Sequence, residues 1–334
     1  MTRRELLKKS TVLGLAATMA GDETWAMPAS VKSGNGFFEF NVGELQLLVI
    51  SDGDILVEPV QPTFAPGISG SEIRKVLAAS YAPTDYLDLG INILVVKQQN
   101  RVVLFDAGCG HLYGSASGKL VANLLAAGID RKDITDVVLT HAHIDHLGGL
   151  TDADDNLVFP NATVHISESE YAFWTENSPD FSRSRVSDSK AESMIKQAKK
   201  TLSVVEKQLR FFRSGDTLFG CLEMEIASGH TPGHTVTRIY SGDKELIHLA
   251  DISHTHTLLL AHPEWGNSFD HDFHEANKTR RKMLARVAAK KQRVFSYHFP
   301  WPGIGFIRER SAGFEWVPQS FASPYLSNHK SKAG

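Results

Sequence analysis

The sequence contains few cysteines, no long apolar run and no excess of either charge. Two cysteines in 334 residues exclude a disulfide framework and a cysteine-rich zinc cluster. A net charge of −3, from 35 Lys and Arg against 38 Asp and Glu, argues against a nucleic-acid-binding protein. No stretch reaches the roughly 18 apolar residues of a membrane helix, so we expect no membrane insertion of the mature chain. A Gly-x-Ser-x-Gly nucleophile motif is also absent from the sequence.

Histidine, by contrast, is abundant, with 15 in the chain. Because histidine is the commonest metal ligand in proteins, the count directs attention to metal chemistry. A hydrophobic content of 42% with 22% charged residues is typical of a folded globular chain.

The N-terminus, residues 1–29, resembles a twin-arginine export signal. Arg3 and Arg4 precede a modest apolar run at 11–20 that is too short to span a bilayer. We therefore expect a periplasmic or secreted bacterial protein, with an amphipathic N-terminus as the alternative. Export would permit a Cys109–Cys221 disulfide, although two free thiols are the simpler expectation.

Short strands alternate with helices from residue 34 to 325, which we interpret as one domain followed by a solvated tail at 326–334. Strands in pairs at both ends of the chain favour two sheets with helices outside. A turn is predicted at Ser51-Asp52-Gly53. Strands are predicted at 37–40, 44–50, 91–97, 102–105, 136–140, 163–166, 222–226, 236–240, 246–249 and 294–297, and helices at 120–127, 187–209, 273–290 and directly after Ser167.

The strand at 136–140 leads directly into four potential metal ligands within six residues: His141, His143, Asp145 and His146. His141 and His143 are two residues apart, so they point the same way in an extended segment. A loop at the edge of a sheet is where functional groups collect. The run predicts two imidazoles for one metal, and a carboxylate with an imidazole for another.

This run resembles the His-x-His-x-Asp-His motif of the metallo-β-lactamase superfamily. Further motifs of the superfamily occur in order, and the resemblance covers about residues 34–319. Segments 34–53 and 298–305 resemble the branch of methyl parathion hydrolases and related lactonases. The further motifs are 104–108 with Asp106, 229–235 with His230, 249–251 with Asp251 and an alanine where glycine is common, and 297–300 with His298.

The resemblance implies an α+β fold, an αββα sandwich of two mixed β-sheets packed face to face with outer helices. It implies two divalent metal ions, zinc first, with Fe, Mn or Co as alternatives. One site would hold His141, His143 and His230, and the other Asp145, His146 and His298. Asp251 would bridge the ions, and Asp106 and His234 would support the ligands.

The implied activity is hydrolysis of an ester-type bond by a hydroxide that bridges the metals, with Asp145 and Asp251 as catalytic carboxylates. A lactone or carboxylic ester in a small, partly apolar substrate is the leading expectation, ahead of a phosphotriester and a β-lactam. A mono-iron persulfide dioxygenase, which tends to lack ligands of the second site, and a metal-storage protein are the rival classes. Related enzymes are often dimers, so a homodimer is expected.

Three aromatic residues, Tyr113, Trp174 and Trp265, are expected at the substrate pocket, with core packing as the alternative for both tryptophans. His254 and His256 form a second His-x-His after Asp251, for which a surface position is expected rather than metal ligation.

Overall fold

The computed structural model describes residues 33–34 and 36–321. The predicted export signal, 1–29, and the predicted tail, 326–334, lie outside these residues and stay predictions. Within the described part, no helix has the length and apolar character needed to cross a bilayer.

The N-terminal half forms an eight-stranded mixed sheet whose strands lie in chain order. Pairing is antiparallel from the first strand to the fifth and parallel from the fifth to the eighth. The strands are β1 (Ser33–Gly34), β2 (Phe37–Val42), β3 (Leu45–Val57), β4 (Leu87–Gln98), β5 (Arg101–Phe105), β6 (Asp136–Val138), β7 (Thr163–Ser167) and β8 (Leu209–Phe212).

The C-terminal half forms a seven-stranded sheet, again with neighbours in chain order. All pairs are antiparallel except the fourth and fifth of its strands, which run parallel. The strands are β9 (Thr217–Leu218), β10 (Leu222–Ile226), β11 (Thr235–Ser241), β12 (Lys244–His248), β13 (Arg293–Phe295), β14 (Ile304–Arg310) and β15 (Gly313–Pro318).

Seven α-helices accompany the sheets in the described part of the chain, and local capping explains where two of them begin. Ser167 accepts a hydrogen bond from Glu170 N at 3.1 Å, and Asp272 accepts one from Glu275 N at 3.0 Å. The helices are α1 (Gly70–Ala79), α2 (Leu120–Ala126), α3 (Ile144–Leu147), α4 (Glu168–Thr175), α5 (Asp188–Val204), α6 (Leu258–Ala261) and α7 (Phe273–Ala289).

The buried side chains form layers that confirm the predicted αββα sandwich. One cluster joins Leu47 and Phe105 of the first sheet to Ile239 and Phe295 of the second, so the sheets pack face to face. A second cluster packs α2, α4 and α5 on the first sheet, and a third packs α7 on the second sheet.

The predicted turn at Ser51-Asp52-Gly53 is wrong, because this segment is a bulge within the continuous strand β3. The Asp52 carboxylate accepts backbone hydrogen bonds from Cys109, Gly118 and Leu120, which fix the bulge from another part of the chain. The predicted helix at 187–209 ends earlier, at Val204, and residue 209 begins β8. The sequence patterns do not predict strands β9, β14 and β15 or helices α1 and α6.

Candidate metal centre

Four segments that follow strands meet at one edge of the sandwich and carry the predicted ligands. The segment after β6 carries His141 to His146, and the loop between β10 and β11 carries His230. Asp251 follows β12 and His298 follows β13, and because these strands are parallel neighbours, their ends lie side by side.

One carboxylate oxygen, Asp251 Oδ2, lies at the centre of the cluster. It is 3.2 Å from His146 Nε2, 3.4 Å from His230 Nε2, 3.4 Å from His298 Nε2 and 3.6 Å from His141 Nε2. The Asp251 side chain is buried. A single oxygen with imidazoles of both predicted ligand groups around it is arranged as a carboxylate shared between two ions would be.

His141, His143 and His230, which we call the first trio, converge on one side of Asp251. His141 Nε2 lies 3.0 Å from His143 Nδ1 and 3.2 Å from His230 Nε2. Tetrahedral zinc with Zn–N bonds near 2.0–2.1 Å separates its ligand atoms by about 3.4 Å. The spacing of the first trio therefore fits a zinc-sized ion.

Asp145, His146 and His298, which we call the second trio, lie on the other side. Asp145 Oδ2 is 3.4 Å from His298 Nε2 and 3.7 Å from His146 Nε2. The structure thus brings together all seven residues that the sequence pattern selected as metal ligands, in two groups that share Asp251.

Hydrogen bonds from behind fix which ring nitrogen faces the cluster in His141, His146, His230 and His298, whereas His143 Nε2 has no such partner among the described residues. Asp106 accepts from His146 Nδ1 at 2.9 Å, which leaves His146 Nε2 with a lone pair toward Asp251. Thr140 Oγ1 donates to Asp106 at 2.8 Å, so it accepts from His141 Nδ1, which lies 3.1 Å away. His141 Nε2 is therefore also a free lone pair.

The remaining rings follow the same rule. His230 Nδ1 donates to Asp270 at 2.8 Å, and His298 Nδ1 donates to the Gly90 carbonyl at 3.0 Å. His234 does not join either trio: its Nε2 accepts from Asp251 N at 3.0 Å and so holds the backbone of the shared carboxylate. His234 and Asp106 therefore lie behind the ligands, where the sequence pattern placed them.

Buried polar atoms without partners provide a test of whether these residues suit metal ions. His146 Nε2, His298 Nε2 and Asp251 Oδ1 are buried and have no hydrogen-bond partner among the residues that the structure describes. Such atoms are costly unless something binds them. Each trio offers three ligand atoms, and the two trios share the Asp251 carboxylate. Imidazole nitrogens and carboxylate oxygens are ligands that zinc prefers, so the residues fit two divalent ions.

The electrostatics of the cluster also favour cations. Burial lowers the pKa of His141 and His143 well below the usual range, which keeps both rings neutral and able to bind a metal. Burial also opposes charge on His298, but Asp251 and Asp145 outweigh it and raise its pKa to about 9. Without a metal, the two carboxylates therefore favour a protonated His298 ring, whose positive charge takes the place of that of a bound ion.

Sequence reasoning missed the position of His254, since the surface position expected for it is wrong. It is buried, and its Nε2 lies 2.9 Å from Asp251 Oδ2. Burial lowers its pKa to about 4, so the neutral ring donates Nε2–H to the carboxylate. Its position three residues after Asp251 is the sequence signal that could have identified it as a neighbour of the metal ligands. His256 is exposed, as expected.

A cavity of about 640 Å³ opens directly onto the cluster. Its floor includes His143, Asp145, Asp251, His254 and His298. Its walls are largely apolar, and the exposed phenol of Tyr113 lies among them. The apolar and aromatic wall residues are Ile55, Leu56, Val57, Leu89, Leu112, Tyr113, Ile144, Met194 and Phe269.

The two tryptophans expected at the pocket do not line this cavity, and their core alternative describes them better. Trp174 is fully buried beneath the site, where its ring packs edge-on against His143 at 5.7 Å. Trp265 is buried with Phe64 and Leu258 in a separate apolar cluster and stacks on His262 at 3.9 Å.

An αββα sandwich with this ligand set at one edge defines a class of metal-dependent hydrolases. A protein-family model described as the metallo-beta-lactamase superfamily matches residues 86–298, and the chain belongs to this superfamily. No curated protein sequence matches the chain.

Solved structures add closer relatives. The chain is 38% identical, with a TM-score of 0.83, to AidC, a dizinc quorum-quenching lactonase solved with the product N-hexanoyl-L-homoserine; the match covers 86% of this chain and 99% of that one. It is 26% identical, with a TM-score of 0.80, to AbOPH, a hydrolase in the beta lactamase superfamily, over 87% of this chain and 100% of that one. An N-acyl homoserine lactone hydrolase at 16% identity and a TM-score of 0.52, covering 78% of this chain and 94% of that one, shows the shared fold alone.

Proposed function

We propose that this protein is a two-zinc lactonase that opens the ring ester of small lactones carrying an apolar acyl chain. The observation that carries the proposal is the cavity of about 640 Å³, which joins the two trios to an apolar wall. The 38% identity to a dizinc lactonase that was solved with an acyl-homoserine product supports the same substrate class.

The first trio would hold one ion and the second trio the other, with Asp251 Oδ2 shared. Bound zinc ions supply Lewis-acid chemistry, since they polarise an ester carbonyl and lower the pKa of water. The protein side chains orient this centre. Asp106 and Asp270 hold His146 and His230 in the required tautomers, and His254 donates its Nε2–H to Asp251.

The apolar wall provides the selectivity that the ligand set lacks. Val57, Leu89 and Phe269 lie on the cavity surface within the same opening as Asp145 and His298. An acyl chain on this wall would place the attached lactone ring over the cluster, and the volume falls in the range of small-ligand sites. Transfer of the chain from water contributes about 0.8 kcal/mol per buried methylene.

The test is a substrate panel on zinc-reconstituted protein, with lactones, aryl esters, phosphotriesters and β-lactams assayed side by side. We expect the highest kcat/KM for acyl lactones, rising with chain length until the cavity is filled. His143→Ala removes a ligand of the first trio and should lose zinc and activity together.

Two results would contradict the proposal. Full lactone, ester and phosphotriester activity in a zinc-free His143→Ala variant would exclude the metal mechanism. A phosphotriester or β-lactam as the best substrate, or one iron per chain, would move the protein to another activity within the superfamily.

A further inference from the structure

A glutamate beneath the metal centre connects the two segments that carry the first trio. Glu170 lies on α4 and is fully buried, and it belongs to none of the metal-ligand motifs in the sequence, where its spacing from Ser167 marks only the start of a helix. Its carboxylate accepts four hydrogen bonds. Oε1 accepts from Ala142 N at 2.9 Å and Trp174 Nε1 at 2.7 Å, and Oε2 accepts from Thr231 Oγ1 at 2.7 Å and Gly233 N at 2.8 Å.

Three of these four partners adjoin a ligand of the first trio, and the fourth, Gly233, lies three residues after His230 in the same loop. Ala142 lies between His141 and His143 in the chain, and Thr231 directly follows His230. The Trp174 ring, held by the same carboxylate, packs edge-on against His143 at 5.7 Å. Glu170 therefore restrains all three histidines through their neighbours and touches none of them directly.

The backbone around Gly233 shows that this contact is tight. A Cβ at Gly233 would lie 2.3 Å from Glu170 N and 2.3 Å from Ser167 Oγ, so α4 and the His230 loop approach more closely than a side chain permits. Ser167 Oγ also donates to the Gly233 carbonyl at 2.9 Å. The first turn of α4 is thus fastened to this loop by the helix cap as well as by Glu170.

We propose that Glu170 is a positioning residue for the first trio, one that sets the spacing of His141 and His143 relative to His230 and so raises the zinc affinity of that trio. This inference rests on the proposed two-zinc centre. None of the four hydrogen-bond partners of Glu170 is next in the chain to a residue of the second trio. Its removal should therefore weaken one trio selectively.

Glu170→Gln is the informative substitution because it keeps the shape of the side chain. A glutamine can present its oxygen to Ala142 and Trp174 and its amide nitrogen to Thr231, whose hydroxyl can accept. The Gly233 N–H then faces a second donor and is left without an acceptor. Glu170→Ala removes all four hydrogen bonds and should have the larger effect.

The experiment measures Zn²⁺ affinity by chelator competition on the full chain, with each trio isolated by a ligand substitution. In a His298→Ala background, which leaves the first trio intact, we expect Glu170→Gln to weaken zinc binding by about 10- to 100-fold. In a His230→Ala background, which leaves the second trio, the same substitution should change the affinity by less than about 3-fold. Glu168→Gln, an exposed glutamate on the same helix, is the matched control and should change neither.

A purely structural role for Glu170 would lower the melting temperature but would leave the zinc affinity of the folded first trio unchanged. That result, or equal weakening of both trios, overturns the proposal. If Glu170→Ala does not fold, the zinc affinities of the Glu170→Gln variants alone test the proposal. If the unsubstituted chain binds no zinc, the two-zinc centre itself is wrong, and this inference is overturned with it.

Discussion

The two trios offer similar ligand atoms for a metal, but the protein holds them in place in different ways. Behind the first trio, Asp270 accepts a hydrogen bond from His230 Nδ1 at 2.8 Å. It also forms an ion pair with the buried guanidinium of Arg280 at 3.1 Å. Arg280 also donates to the Ile252 carbonyl at 2.8 Å, one residue beyond Asp251. Charged side chains therefore connect the first trio to the shared carboxylate from behind.

The second trio is held by one carboxylate, Asp106 behind His146, and otherwise by the backbone and an uncharged donor. His298 Nδ1 donates to the Gly90 carbonyl at 3.0 Å, and the Tyr297 hydroxyl donates to the Asp145 carbonyl at 2.7 Å. Asp106, behind His146, has Thr140 as its other side-chain partner rather than an arginine. The Asp145 side chain is 15% exposed, whereas His141 is fully buried.

This difference suggests that one trio mainly retains its ion and that the other adapts to the substrate. A trio fixed by charged groups in a dry environment retains its geometry and its ion, because buried charges resist rearrangement. A trio that includes the partly exposed Asp145 and has no buried arginine behind it can adjust to a substrate. Five substitutions, at Asp251, Asp270, Asp106, His254 and Tyr297, test this difference between the trios.

The largest effect is expected from Asp251→Ala, which removes the oxygen that both trios share. The zinc affinity of both trios should fall by more than the roughly 10- to 100-fold lost when a residue that hydrogen-bonds to a ligand is removed, and hydrolysis should fall with it. Metal analysis after dialysis checks this, with the exposed Asp243→Ala as control. Two zinc ions retained by the Asp251 variant would show that the trios are independent of it.

A smaller but still large effect is expected from Asp270→Asn, because it leaves Arg280 as a buried cation without its carboxylate. Breaking a buried pair in this way typically costs about 3–5 kcal/mol of unfolding free energy. Asp106→Asn removes a comparable hydrogen bond without stranding an arginine and should cost about 1–3 kcal/mol. Urea unfolding of the metal-free variants measures both, and equal losses would remove the proposed contrast.

Local patterns explain why much of the ligand set could be predicted from the sequence. His141 to His146 are adjacent in the chain and follow an apolar strand, so a short motif was enough to select them. Asp251 and His298 are far apart, and their selection depended on the family resemblance. Strand pairs at both ends of the chain favoured two sheets with helices outside, and the family resemblance implied the αββα sandwich.

Features that depend on distant contacts could not be predicted in this way. Glu170, Asp270 and Arg280 support the ligands through tertiary contacts, and no spacing relates them to the motif. Ser51-Asp52-Gly53 has the composition of a turn, but hydrogen bonds from Cys109, Gly118 and Leu120 make it a bulge. Trp174 was predicted on its helix, but the sequence did not show that this face of α4 packs beneath the site.

An intermediate effect, equal on both trios, is expected from His254→Ala. This substitution removes the 2.9 Å hydrogen bond to Asp251 Oδ2, the oxygen that the two trios share. A hydrogen bond to a charged group contributes about 1.5–3 kcal/mol, which corresponds to roughly 10- to 100-fold in zinc affinity. Chelator competition on each isolated trio measures it, with His256→Ala as the exposed control, and weakening of one trio alone would contradict the shared role.

The smallest effect is expected from Tyr297→Phe, which tests the second trio at its backbone support. The substitution keeps the ring that stacks on His146 at 4.0 Å and removes only the hydroxyl that donates to the Asp145 carbonyl. An ordinary hydrogen bond contributes about 0.5–1.5 kcal/mol, so zinc affinity at the second trio should fall by about 2- to 10-fold. The first trio should be unaffected, because its support runs through Glu170 and Asp270 on other elements. A fall at the first trio as large as that at the second would show that the two supports are coupled through the shared carboxylate.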